Sequence, residues 1–282
     1  MERKLDYREQ LADAEAAGMR AVVFKDHFHS TAPITRLMDR HRPQTRVTDL
    51  YSGVALNNAL GGLNPYAVEH SLMMGARIVW MPTLCSSNHL RTAFRYNLSG
   101  KLDMERPMAI DALTPKGAVR DELKVILDLI AAHDAVLSGG HLHVSEMYPL
   151  FEEAKARGVT RMLVSHPTFW VEADVRDLTE LSAMGVYLEH CACMLIDCPS
   201  RKYSSEQMIE YIEASGIDQT ILGSDLGQPF NPRPVDGMRS VIRLCLELGF
   251  SEQAVRKLTA LNACQLLGIE PLDGSATAEQ VH

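Results

Sequence analysis

The 282-residue chain has no run of about 18 apolar residues, so no segment reads as a membrane-spanning helix. Its opening stretch, MERKLDYREQ, is charged and lacks the apolar core of a secretory signal. Positive charge is in short supply. The 28 Lys and Arg are outnumbered by 36 Asp and Glu, and they form no stripe, which argues against nucleic acid as a partner. The six cysteines make no CxxC pair and no evenly spaced framework, so reduced thiols and a cytoplasmic location are expected. No GxGxxG follows a strand, which removes the main signal for a dinucleotide-binding sheet.

What is present is one phrase, repeated. An amphipathic helix ends at a glycine, and a short apolar strand follows: Gly18 before AVVFK, Gly75 before RIVWM, Gly158 before RMLVS, Gly185 before VYLEH, Gly216 before TILGS. The strands are apolar throughout, as parallel strands covered on both faces are. Asn64 with Pro65, Ser145 and Ser251 supply helix starts. The alternation predicts an α/β protein, a (β/α)8 barrel of the TIM type, as a single domain over residues 1–282 with a long loop insertion at about 84–117.

Strands are expected near 21–25, 46–51, 77–81, 135–139, 161–165, 186–190 and 219–223. That makes seven where a barrel has eight, and the chain opens on a helix; strand 1 is the one expected to be missing. Counted so, Lys25, His27 and His29 end strand two, His141 and His143 follow strand five, His166 ends strand six, His190 ends strand seven and Asp225 follows strand eight. Catalytic residues of such barrels sit at these C-terminal strand ends. Imidazole suits zinc and other borderline metals, and an aspartate adds charge and a proton acceptor.

The order His, His, Asp at the ends of strands five, six and eight resembles the amidohydrolase superfamily of metal-dependent hydrolases, and His141, His166 and Asp225 match those positions. The phrases AAGMRAVVFKDHF, GGLNPYAVE, GARIVWMPT, SGGHLHVSE and GSDLGQPFNP are similar to an uncharacterised branch of it. The resemblance implies a divalent metal, zinc first with manganese or iron as alternatives, held by His141, His166 and Asp225. It implies Asp225 as the residue that handles the proton. The target is a small molecule with an amide, lactone or ester bond; decarboxylation, or a barrel that no longer catalyses, is the alternative. The superfamily's first strand carries an HxH, and this sequence opens just past where that strand would lie. Either the start is assigned at an internal methionine, or the chain is a short form.

Lesser candidates complete the list. His27 and Lys25 share an inward parity: His27 is a candidate ligand or substrate contact, and Lys25 could bridge metals as a carboxylated lysine, though an ion-paired or hydrogen-bonded lysine is the better reading. His143, His89, Asn88 and His190 are candidate substrate contacts, each with a structural alternative. Cys191 and Cys193 could supply thiolates, but core packing is the expectation. An open strand position leaves two sheet edges, so a homo-oligomer or a covering N-terminal segment is expected.

Overall fold

A computed structural model of the protein describes residues 2–43, 46–95 and 107–272. Eight short strands follow in order: β1 Ala21–Val23, β2 Asp49–Tyr51, β3 Gly53–Ala55, β4 Ile78–Trp80, β5 Val136–Ser138, β6 Arg161–Ser165, β7 Tyr187–Cys191 and β8 Thr220–Gly223. Every pair is parallel, in the order β1-β2 and β3-β4-β5-β6-β7-β8. β2 and β3 are two halves of one extended stretch interrupted at Ser52. The first half pairs with β1 (Val22 with Leu50) and the second with β4 (Val54 with Val79). The sheet therefore has seven strand positions, close to the seven expected, five of them after a helix-ending glycine.

The sequence shows strands apolar on both faces, and the structure separates the two. Val79, Val164 and Leu188 pack under the helices, beside Leu123, Leu127 and Phe151. Their neighbours Ile78, Trp80, Leu163, Tyr187 and Ile221 turn the other way and meet Leu266 and Leu267 of the last helix. Successive strand residues face opposite sides, so residues two apart share a face. On the inner face, β6 climbs from Leu163 to Ser165 and β7 from Tyr187 through Glu189 to Cys191. The inner face is thus apolar near the strand starts and polar at their C-terminal ends.

Among the described residues, β1 and β8 each have one strand neighbour, and no strand joins them. The interior behind this gap is hollow, about 630 Å³, and reaches from Asp225 to Leu266 and Leu267. Barrel interiors of this type are normally filled by layers of side chains. The N-terminal segment lies over the opening. The amide of Lys4 donates to the Gly227 carbonyl at 2.9 Å, Arg233 pairs with Asp13 at 3.3 Å, and Arg20 donates to the Glu270 carbonyl at 2.7 Å. A covering segment near the N-terminus is one of the two outcomes expected for the open edges.

Two local expectations are corrected. Helix Val144–Ala156 is capped by His143, whose ring nitrogen accepts from the Ser145 amide, and not by Ser145 itself. The stretch 84–117 is not all loop: Ser87–Arg95 is a helix, Ser86 bridges Ile110, and Leu113 bridges Val119. Residues 96–106 of that stretch lie outside the described residues. Asn64 does cap its helix, accepting from the Tyr66 and Ala67 amides, with Pro65 in the first turn. Ser251 likewise caps helix Glu252–Arg256, which continues through a π-helical turn, Lys257–Leu261, into Asn262–Leu267.

Candidate metal centre

The polar end of the interior gathers side chains from the C-terminal ends of the strands. His141 follows Gly140, which holds a left-handed φ of 62°; a Cβ there would lie 2.3 Å from the Met81 carbonyl oxygen. Only glycine lets the two strand ends approach so closely. The approach lets the His141 amide donate to the Pro82 carbonyl at 3.0 Å. The His141 ring stacks on Trp170 (5.5 Å, 7° between planes), and its Nδ1 lies 2.9 Å from Nδ1 of His89. Its other nitrogen, Nε2, is buried without a hydrogen-bond partner.

The His166 ring centroid lies 5.4 Å from that of His141. Its Nε2 is 3.8 Å from Asp225 Oδ2, and its Nδ1 is 2.9 Å from Cys191 Sγ. His166 and Asp225 both adopt left-handed backbone, φ 53° and 45°, which L-residues rarely do. Such outliers persist where the surroundings over-determine them, often at functional sites. The turn at His166 breaks strand alternation, so this histidine lines the interior although Ser165 beside it also faces inward.

His27 sits 6.3 Å from His141, ring to ring, with Nδ1 2.9 Å from Thr83 Oγ1. Asn57 braces this corner. Its amide donates to Thr83 Oγ1 and to the His27 carbonyl, and its oxygen accepts from the Thr83 and Cys85 amides. Lys25 Nζ lies over the Trp80 ring at 5.3 Å, within cation–π range, and lines the same interior.

The remaining candidates divide. His89 is part of the cluster through His141 and meets the Trp170 ring in a tilted contact, 4.3 Å between centroids. Asn88 is structural support, donating to the His141 and Trp170 carbonyls. His143 stands at the rim, 3.8 Å from Glu172. His190 is not brought to the interior: it stacks on Tyr211 and meets Ser215 at 3.3 Å, among the outer helices. Strand parity accounts for this. His190 lies between Glu189 and Cys191, both of which face inward. Sequence reasoning passed over Glu189, which accepts from Ser165 Oγ at 2.6 Å and lines the interior. Counting from Tyr187 in steps of two would have found it.

Burial holds the pKa of His141 well below its usual value, reinforced by the neighbouring His89 and His166. Burial likewise lowers His27, helped by Lys25, and brings His89 down to about 4. In His166, burial outweighs the opposing charge of Asp225. These imidazoles are neutral at pH 7, and neutral imidazole is the form that coordinates metals.

The family model that matches residues 1–189 is described as a family of unknown function, DUF6282. The chain belongs to the DUF6282 family. No curated protein matches it by sequence. Solved structures share the fold. An amidohydrolase from Pseudomonas aeruginosa superposes with TM-score 0.58 at 15% identity, covering 93% of this chain and 92% of that one. An amidohydrolase from Burkholderia multivorans with bound zinc gives 0.58 at 10% identity, covering 94% and 89%. The 2,6-dihydroxybenzoate decarboxylase from Rhizobium gives 0.54 at 11% identity, covering 94% and 90%. At these identities the likeness establishes the fold alone: the chain shares with these enzymes an α/β architecture of parallel strands alternating with helices. Among the described residues, no helix is long and apolar enough to cross a membrane.

Proposed function

We propose that this DUF6282 protein is a metal-dependent enzyme of the amidohydrolase type, hydrolysing an amide, lactone or ester bond of a small molecule. The observation that carries the reading is the orphaned Nε2 of His141: a buried polar atom without a partner costs about 1–3 kcal/mol unless something else satisfies it. The His166 and His27 rings lie 5.4 and 6.3 Å from that of His141, and Asp225 lies 3.8 Å from His166, so the donor set is imidazole and carboxylate, which fits zinc, with manganese or iron as alternatives. His141, His166 and Asp225 would hold the cation, and His27 and Lys25 stand beside them. A divalent cation held there supplies Lewis acidity and makes a water molecule ionisable near neutral pH.

The chain's own residues supply the rest. Asp225 accepts the proton of the attacking water and returns it to the leaving group. It is the carboxylate nearest His166 and is partly open to the cavity, its side chain 37% exposed. Trp170 covers the His141 ring and keeps solvent from that side. Lys25 places a positive charge on the cavity wall, where a substrate carboxylate or carbonyl oxygen could be held. The six cysteines are free thiols, in keeping with a cytoplasmic location.

The fold shared with a decarboxylase supports one second reading, metal-dependent loss of CO₂ from an unsaturated acid. A panel of lactones, amides, esters and aromatic acids, assayed with zinc or manganese for both hydrolysis and CO₂ release, separates the two. On whichever substrate turns over, Asp225→Asn is expected to lower the rate about 10²–10⁴-fold, the usual worth of a general base. Turnover that survives this substitution unchanged refutes the proton role of Asp225.

We infer assembly into a homo-oligomer: among the described residues β1 and β8 each have one edge without a strand neighbour, and an open strand edge is a template for pairing. Light scattering of the purified protein is expected to give a mass above that of one chain. A strict monomer would mean that the N-terminal segment alone covers the edge.

A further inference from the structure

Two buried thiols at the end of β7 have no part in the function proposed so far. Cys191 Sγ lies 2.9 Å from Nδ1 of His166, and Cys193 Sγ lies 3.7 Å from Oδ2 of Asp225. Each of the two neighbouring site residues is thus backed by its own sulfur. Cys191 shares the inward face of β7 with Tyr187 and Glu189, which explains how a strand that turns His190 outward still reaches His166.

We propose that Cys191 is a positioning residue for His166, holding the ring through Nδ1 so that Nε2 faces Asp225 and the cavity. The inference rests on the metal reading above. An imidazole can rotate half a turn about its last torsion at little cost, exchanging ring nitrogen for ring carbon at each position. The sulfur contact selects one of the two orientations, because only Nδ1, and not the carbon that would replace it, makes a hydrogen bond there. Metal-ligating histidines nearly always use their second nitrogen to donate to a fixed acceptor, usually a carboxylate, a carbonyl or water. Here a thiol sulfur takes that place.

The alternative is that Cys191 is itself a ligand, since its Sγ and ligand atoms of His166 and Asp225 lie within 4.8 Å of one another. The distance to Nδ1 argues against a cation shared through that atom. A cation bound tetrahedrally at about 2.3 Å from sulfur and about 2.0 Å from nitrogen sets those two atoms about 3.5 Å apart. The observed 2.9 Å is closer than that, and leaves room for a shared proton rather than a cation.

The test is zinc affinity, measured on the full-length protein by competition with a chromophoric chelator, for wild type, Cys191→Ala and Cys191→Ser. Cobalt(II) absorption spectra and nitrogen-15 histidine spectra of the zinc-loaded protein accompany it. Alanine is expected to weaken zinc binding about 10–100-fold, the usual cost of losing an outer partner of a metal ligand. Serine, which keeps a polar atom near Nδ1, is expected to recover part of the loss. The His166 signal should show Nδ1 protonated in wild type and disturbed in the alanine variant, which a merely structural role would not produce. Wild-type affinity in Cys191→Ala overturns the proposal. A sulfur-to-cobalt charge-transfer band in wild type, lost in Cys191→Ser, also overturns it and makes Cys191 a ligand. If alanine prevents folding, the serine variant decides: affinity equal to wild type with an undisturbed His166 signal overturns the proposal, and a disturbed signal with weaker binding supports it. Wild type that takes up neither zinc nor cobalt sinks the metal reading first, and this inference with it.

Discussion

Zinc bound to His141→Ala, measured by plasma emission after reconstitution, is expected to fall from about one equivalent to near zero. The size of the effect follows from position. Removing a group that only supports a ligand costs about 10–100-fold in affinity, and removing a ligand costs more. His141 is the imidazole whose free nitrogen has nothing else to bind. His190→Ala is the matched control. It too removes a buried histidine from a strand end, but one that stacks on Tyr211 away from the interior, so its zinc content should stay at the wild-type level. Equal metal content in wild type and His141→Ala would remove His141 from the ligand set.

The same His190 gives the second large effect, on acid stability. Burial alone brings its pKa down to about 4. In the unfolded chain it returns to the ordinary value near 6.5. Between those values the unfolded chain binds the proton and the folded chain does not, so stability is lost as pH falls from about 6.5 to about 4. It is undiminished above that window, and no further loss comes from this group below it. The displacement corresponds to about 3 kcal/mol at the lower end, a sizeable share of an ordinary domain's stability of about 5–15 kcal/mol. Urea unfolding at pH 7 and at pH 4.5 measures it. His190→Gln cannot take up the proton, so its stability should drop less between the two conditions than that of wild type. An equal drop would place the acid sensitivity on other groups.

The two predictions also mark where sequence was informative. Strand positions were legible because five of them follow a helix that ends on a glycine and each strand is a short apolar run. The order His141, His166, Asp225 was legible because strand-end residues announce themselves when a polar residue closes such a run. The inward or outward sense of a side chain was harder to read. β7 is apolar on both faces up to Glu189, so hydropathy offered no phase, and His190 drew attention that belonged to Glu189 and Cys191. The left-handed backbone at His166 and Asp225 left no trace in composition either, since glycine is the residue that usually signals it. Asn57, which braces His27 and Thr83 at once, sits in a turn rich in asparagine where nothing singled it out. The break between β2 and β3 was equally silent. Ser52 interrupts an ordinary extended run, because the two halves pair with different neighbours.

The gap that the described residues leave between β8 and β1 changes what holds the sheet in shape. In a closed barrel every stave is gripped on both sides, and none is first to let go. Here the curvature depends at the seam on clasps between residues far apart in the chain. Asp13 and Arg233 are separated by 220 positions, and Arg20 and Glu270 by 250. Loops that long carry the largest closure entropy, and an exposed ion pair repays only about 0–1 kcal/mol of it. Such fastenings can engage only after both flanks of the sheet have formed. At this seam the cavity wall is held by weak contacts between distant parts of the chain instead of by a ladder of strand hydrogen bonds.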